Sequence, residues 1–465
     1  MTDKKQYYHL EPPAGLLNDP NGLCWYRGKY RVFFQWNRLK KDHSYKEWGL
    51  FTSENLTKWQ FEGSALIPGQ DDDRDGVYSG SGQVIGGRLH LYYTGNRRNE
   101  DGRVSSQCLA VTEDGLHCQK EGVVFHTPGE YTGHFRDPKV FRGTGADYFM
   151  VIGGQRRNLK GAIALCRSAD GRRWEDQGTL AVSDQYEMIE CPDLFLLDGQ
   201  WVLLYNPQKR NTETDKPEFR FSAYKLGRFE EPAGNFEDPD LDTDFGELDA
   251  GFDFYAPQTL EAPDGRRILF AWMSGMDAEQ EAVFGKDEPN IHCLTMPREL
   301  FIRNGKLCQR PARELYGLLG QKIKTEEEEE GVRGTPDGRA FFLKLNFSEA
   351  DHGFQAVFQN KEAALRYVPE EKKLIFSRRS WIRDAEEIRE VGLDRLEEVE
   401  IWSDQSSMEI FVNGGETVLS ARIFPGEGPA EIRLSGITGG SDIQLHEIIK
   451  SAPKQNDKQE ENRYE

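Results

Sequence analysis

Asn18-Asp19-Pro20-Asn21-Gly22 stands between Leu16-Leu17 and the run Leu23-Cys24-Trp25-Tyr26, which turns at Arg27-Gly28-Lys29 and returns as Tyr30-Arg31-Val32-Phe33-Phe34-Gln35. Two apolar runs joined by a Gly-containing turn read as a hairpin. Asp19 falls at the head of a buried strand, on a backbone stiffened by Pro20. Alone, such an Asp is a turn residue or a strand-end cap. Here the arrangement comes back four more times.

The later copies start near Val77, Arg136, Glu190 and Asp253, at spacings of 59, 59, 54 and 63 residues from Asn18 onward. They read Val77-Tyr78-Ser79-Gly80, Arg136-Asp137-Pro138, Glu190-Cys191-Pro192-Asp193 and Asp253-Phe254-Tyr255-Ala256-Pro257. Each is followed by an apolar run and a Gly or Asp turn. A second marker keeps the same phase: Thr52-Ser53-Glu54-Asn55-Leu56, Thr112-Glu113-Asp114-Gly115-Leu116 and Arg167-Ser168-Ala169-Asp170-Gly171. All-β units of this length, about four strands each, are the signature of a propeller. The first strand of each unit then lines a central channel. Asp19, Tyr78-Ser79, Arg136-Asp137, Glu190 and the stretch from Asp253 to Tyr255 are expected to meet at one mouth of it.

The repeat fades after Leu300-Phe301-Ile302. Pro311 to Gly320 is expected to be a short linking helix, and Glu326 to Glu330 a solvated run of like charge. Alternating strands resume from Gly331 to about Lys450, with a hairpin signal at Asn413-Gly414. The chain is therefore read as all-β, a five-bladed propeller over 1–310, a linker over 311–330, a β-sandwich over 331–450 and a disordered polar tail over 451–465. With 465 residues it is long enough for this plan. A net charge of −20 argues against nucleic acid or an anionic membrane surface as a general partner. The N-terminus leads into no apolar signal segment and no apolar run is long enough to span a bilayer, so a cytoplasmic location is expected. The seven cysteines form no CxxC pair and read as buried or free thiols, without a disulfide framework or metal site.

Carboxylates converging in a cleft suit glycoside cleavage: one attacks the anomeric carbon and the other protonates the leaving oxygen. Asp19, beside the amides of Asn18 and Asn21, suits the ionised role. Glu190, beside Cys191-Pro192 and other acids, suits the protonated role, since burial and a neighbouring anion raise a carboxyl pKa. Asp137, next to Arg136, is expected to stay charged and hold sugar hydroxyls. His134 is read as a loop histidine beside the site.

The set Asn18-Asp19-Pro20-Asn21-Gly22, Arg136-Asp137-Pro138 and Glu190-Cys191-Pro192-Asp193 resembles glycoside hydrolase family 32, the invertases, levanases, inulinases and sucrose-6-phosphate hydrolases. The resemblance runs in order from about Tyr7 to Arg310. It implies a retaining β-fructofuranosidase without a metal or other cofactor, with Asp19 as nucleophile, Asp137 as transition-state stabiliser and Glu190 as acid/base. It further implies sugar contacts from Leu16, Asn18, Gln35, Trp48, Tyr78, Ser79, Arg136, Tyr255 and Trp272. The substrate it points to is sucrose 6-phosphate or sucrose, with fructo-oligosaccharides as the alternative and a non-catalytic sugar-binding protein as a second one. Two departures, Asn37-Arg38 in place of the family's Asn-Pro and Trp48-Gly49-Leu50 in place of Trp-Gly-His, lie on the leaving-group wall. Arg38 to Lys46 carries four basic residues and a His. Lys46 is expected there as the partner of a phosphate on the glucose O6.

Overall fold

The computed structural model describes residues 5–451 except 70, 101, 212–216, 232, 330, 348–352, 425–427, 429 and 438–441. Most of the residues assigned to the C-terminal tail, 452–465, therefore lie outside the described residues. Among the described residues no helix is long and apolar enough to cross a membrane.

Five antiparallel sheets follow one another in the first two thirds of the chain. Their inner strands are Gly15–Tyr26, Val77–Ile85, Tyr131–Arg142, Met188–Leu197 and Tyr255–Glu261, and they belong to blades I to V. Each inner strand touches the next, and the fifth touches the first, which closes a ring. A parallel pairing of Gly15-Leu16 with Asn290-Ile291 seals it, so the strand that opens the ring also receives chain from its end. Between blades the packing is apolar: Leu91, Tyr93 and Ala110 meet Phe33, Trp48 and Leu50, and Val151, Ile163 and Leu165 meet Leu194, Leu203 and Tyr205. The recurring turn also has a local cause. Asn55, Asp114 and Asp170 each accept backbone N–H groups two and three residues ahead through Oδ1, the side-chain mimic of a turn.

Each inner strand bulges at the same place, with two residues facing one on its neighbour. Asn18 and Asp19 lie between the pairs Leu17–Trp36 and Pro20–Phe34. Ser79 lies between Tyr78–Thr94 and Gly80–Tyr93. Asp137-Pro138, Cys191-Pro192 and Ala256-Pro257 occupy the equivalent gap in blades III to V. Pro suits a bulge because it has no N–H to leave unpaired. Blade II uses Gly80 instead, where a Cβ would lie 1.9 Å from Tyr92 O. Asp137, Cys191 and Ala256 adopt positive φ values of 68°, 43° and 51°. That strain costs on the order of 1–3 kcal/mol each and persists only where the surroundings enforce it. A bulge re-aims side chains. The bulged positions thus supply the mouth of the channel with Asn18, Tyr78, Arg136, Glu190 and Tyr255 and with Asp19, Ser79 and Asp137, while Cys191 and Ala256 are buried in the apolar core.

The C-terminal part packs a six-stranded sheet on a seven-stranded one around Phe341, Leu343, Phe376, Ile401 and Ile410. Two expectations are corrected here. The linking helix is a 3-10 turn, Arg313–Leu318. It runs straight into a strand, Leu319–Lys322, paired with Asp442–Ile448. The glutamate run is no linker: Thr325–Glu328 is an exposed edge strand paired with Gly331–Gly334, where Arg333 lies against Glu326 and Glu328. Glu330 lies outside the described residues. Trp402, Phe411, Val418 and Ile448 of the sandwich share one apolar cluster with Tyr30, Phe270 and Trp272 of the propeller.

Candidate active site

The bulges bring Asp19, Asp137 and Glu190 together, near enough that Glu190 and Asp19 each act on the ionisation of their neighbours. Their surroundings differ. The Ser79 hydroxyl donates to Asp19 Oδ2 at 2.5 Å. Behind it, Gln35 Nε2 donates to Ser79 Oγ at 2.7 Å, and Asn18 Nδ2 to Gln35 Oε1 at 2.7 Å. Burial and the charge of Glu190 push the Asp19 pKa up, while Ser79, Lys46 and Asn18 hold it down. Asn21 does not serve the carboxylate; its amide donates to the backbone carbonyl of Asp19.

Glu190 is the most heavily bonded of the three. Arg136 donates to Oε1 from Nη2 (2.5 Å) and Nε (3.1 Å). Tyr255 Oη donates to Oε2 at 2.7 Å, and Gln208 Nε2 donates to the same oxygen. Burial raises its pKa, but Arg136 and Tyr255 outweigh that and hold it below the usual carboxylate range. Asp137 is buried, accepts the Cys191 N–H at Oδ2 (3.1 Å) and lies 3.9 Å from Arg136 Nε. Burial and the two neighbouring acids push it up, against Arg136. In the free site these shifts run opposite to the expectation of a protonated Glu190 and a charged Asp137, because Arg136 reaches across to Glu190.

Other expectations fall differently. Leu16 and Trp48 have no exposed surface; the Trp48 indole N–H donates to Tyr78 O from behind the wall. Tyr78 is half-buried, with the Arg103 guanidinium 5.4 Å from its ring centre. Trp272 lies beside Tyr255, His43 and His292, and Arg220 spans the Tyr255 and Trp272 rings at 4.7 and 4.8 Å. Asp253 faces away from the channel: it is fully buried and binds Arg378 and the Arg422 N–H of the sandwich. His134 lies beside the site, accepting from Arg136 Nη1 at 3.0 Å. Lys46 is buried, with Nζ 2.5 Å from Asn18 Oδ1 and 3.0 Å from His43 Nδ1. The rest of its loop is tied down by Arg38–Glu47 and by Lys41 bonds to the carbonyls of Gly285 and Glu288.

Gln208, Arg220 and Glu281 are the site residues that the sequence reading missed. Gln208 pairs with Met188, two residues ahead of Glu190, on the second strand of blade IV. Gln35 faces the bulge at Asn18-Asp19 from the second strand of blade I, but the same phase in blade IV falls on Tyr205, so the repeat held no signal for Gln208. Glu281 had none either: it sits on a short helix, Ala278–Phe284, capped by Asp277 and Gln280. Among the described residues no group of three or more His, Cys, Asp and Glu side chains is arranged to hold a metal ion.

Residues 9–311 match the model of the glycosyl hydrolases family 32 N-terminal domain, and residues 315–449 that of its C-terminal domain. The chain is 40% identical over 459 residues to the sucrose-6-phosphate hydrolase of Bacillus subtilis, covering 95% of this chain and 93% of that one. Among solved structures, the sucrose-6-phosphate hydrolase of Lactobacillus gasseri aligns with a TM-score of 0.85 at 28% identity, covering 97% and 94% of the two chains. A family 32 β-fructofuranosidase of Bombyx mori gives 0.84 at 29%, covering 97% and 95%.

Proposed function

The chain belongs to glycosyl hydrolase family 32, and from that membership we propose that it hydrolyses the fructosyl bond of sucrose 6-phosphate, and of sucrose less well, inside the cell. The observation that carries the reading is the meeting of Asp19, Asp137 and Glu190 at one mouth, each with its own donors. An Asp19 oxygen attacks the anomeric carbon of the fructosyl unit. The bond to the glucose oxygen breaks, and that oxygen takes a proton from Glu190. Water then gives a proton back to Glu190 and attacks the same carbon, releasing Asp19 with overall retention.

In the free site Arg136 and Tyr255 favour the Glu190 anion, while burial and the neighbouring acids favour the neutral form of Asp137. Sugar hydroxyls that donate to Asp137 favour its anion, and that charge in turn favours the protonated form of Glu190 that the leaving oxygen needs. The buried Lys46 is a poor partner for a phosphate. The half-exposed Arg220, flat against Tyr255 and Trp272, is the better one on the leaving-group wall.

The test compares kcat/KM on sucrose 6-phosphate, sucrose and a short inulin-type oligosaccharide, with early-time NMR of the released fructose. Preference for the phosphorylated sugar and β-fructofuranose as first product support the reading. No turnover of any of the three, or α-fructofuranose first, would sink it.

A further inference from the structure

We propose that Lys46 is a positioning residue for Asp19, acting through a one-way chain of hydrogen bonds that compels Ser79 to donate to the nucleophile. The proposal rests on the assignment of Asp19 made above. An ammonium can only donate. Lys46 Nζ therefore fixes the Asn18 amide with its oxygen toward the lysine (2.5 Å) and its NH2 toward Gln35. Asn18 Nδ2 then takes Gln35 Oε1 (2.7 Å), which turns the Gln35 NH2 to Ser79 Oγ (2.7 Å). With its lone pair so occupied, the Ser79 hydroxyl has Asp19 Oδ2 as its acceptor (2.5 Å). Asn18, Gln35, Ser79 and Lys46 are all buried, so water does not compete for these groups.

The chain is anchored beyond Lys46. His43 Nε2 lies 3.3 Å from Glu281 Oε1, and its Nδ1 lies 3.0 Å from Lys46 Nζ. A ring that donates to the carboxylate through Nε2 presents a bare Nδ1 to the ammonium. Partial desolvation and the charge of Lys46 lower the pKa of the 45% exposed His43 side chain, which favours the neutral ring that accepts at Nδ1. Glu281 is shared with His292 Nε2 at 2.9 Å. The charged and titratable groups facing Lys46 are Asp19 from blade I, Asp42 and His43 from its own loop, and Glu281 from the helix. The sandwich braces that helix: the Phe284 ring packs tilted against Phe424 with centroids 4.4 Å apart, and Trp381 Nε1 reaches Gln280 O at 3.4 Å.

Two variants test the chain. Lys46→Met removes its origin, and Gln35→Glu keeps the shape but offers Ser79 an acceptor in place of a donor. Both are expected to lower kcat on sucrose and on sucrose 6-phosphate alike, by about 10–100-fold, the scale of a nucleophile held slightly out of line. Both should move the acid limb of kcat/KM to higher pH, since Asp19 loses a donor that favours its anion. Lys46→Arg should recover part of the loss. Gln35→Glu keeps the test open if Lys46→Met fails to fold. A rise in KM for sucrose 6-phosphate alone in Lys46→Met, with kcat and the acid limb as in wild type, would overturn the chain and make Lys46 a phosphate contact. Full turnover by Asp19→Ala is a separate result: it would overturn the nucleophile assignment itself.

Discussion

Two buried charge clusters, one at the mouth of the channel and one between propeller and sandwich, are built from the same residue types and do opposite things. In the seam, Arg298 donates to Glu409 (2.7 Å) and Asp249 (3.1 Å), and His9 lies between Asp404 (2.9 Å) and Glu409 (2.8 Å). Backbone N–H groups complete the acids: Tyr7 and Tyr8 for Asp404, Met296 for Glu409, Gly251 and Ser420 for Asp249. None of these side chains is exposed. At the mouth, Asp137 has one backbone donor, and Asp19 and Glu190 stay half-buried. A saturated cluster holds a fold. At the mouth Glu190 is saturated as well, but Asp137 and Asp19 have few donors and keep acceptor capacity for a substrate, at a cost in stability the rest of the structure must offset.

The sharpest break between the two comes from deleting one carboxylate. Asp19→Ala is expected to lower kcat on the order of 10⁴-fold or more while the melting temperature stays level or rises, as activity and calorimetry on one preparation would report. Arg298→Met should do the reverse. Glu409 and Asp249 lose their cation in a dry seam, so stability falls by about 3–5 kcal/mol, read by urea titration, and kcat per folded molecule is unchanged.

The seam also carries a pH signature. Burial opposes the charged form of His9, but Asp404 and Glu409 win and hold its pKa at about 9, above the ordinary 6.5. Its contribution is complete below the ordinary value and is lost as pH rises through about 9. Unfolding free energy should therefore decline across that window, at no more than about 1.4 kcal/mol per pH unit for one proton, and His9→Gln should flatten the slope. An equal slope in both proteins would mean that His9 is not the charged partner. The smallest effect belongs to the mouth: Arg220→Gln should raise KM for sucrose 6-phosphate about tenfold and leave sucrose nearly unaffected, with the difference fading at high salt.

The repeat made the five blades legible, because turn chemistry and the Pro-bearing inner strands recur in phase. Asp19, Asp137 and Glu190 followed from that phase. What escaped it came from outside the repeated unit. Asp253 lies ahead of its strand, where its partners Arg378 and Arg422 come from the sandwich, more than a hundred residues away. Lys46 sits in a run that is basic and polar by composition, yet its side chain turns inward to Asn18, an acceptor invisible in local sequence. Leu16, three residues from Asp19 in sequence, and Trp48, in the strand next but one, are fully buried behind the wall. The glutamate strand at Thr325–Glu328 survives as a strand because its neighbour Gly331–Gly334 supplies the ladder and Arg333 the charge. Like-charge composition predicts neither.

The pairing of Gly15-Leu16 with Asn290-Ile291 sets an order on the ribosome. The strand bearing Asp19 is made with one edge unpaired, and its closing partner follows only after blades II to IV and the first two strands of blade V. At 5–20 residues per second that interval is roughly tens of seconds. Throughout it the nascent chain has Asp19 but no assembled mouth, and it carries an open strand edge of the kind that pairs with other chains. Assembly of the mouth is thus gated by the last blade, and slow synthesis past Glu261 lengthens the period in which that edge stays open.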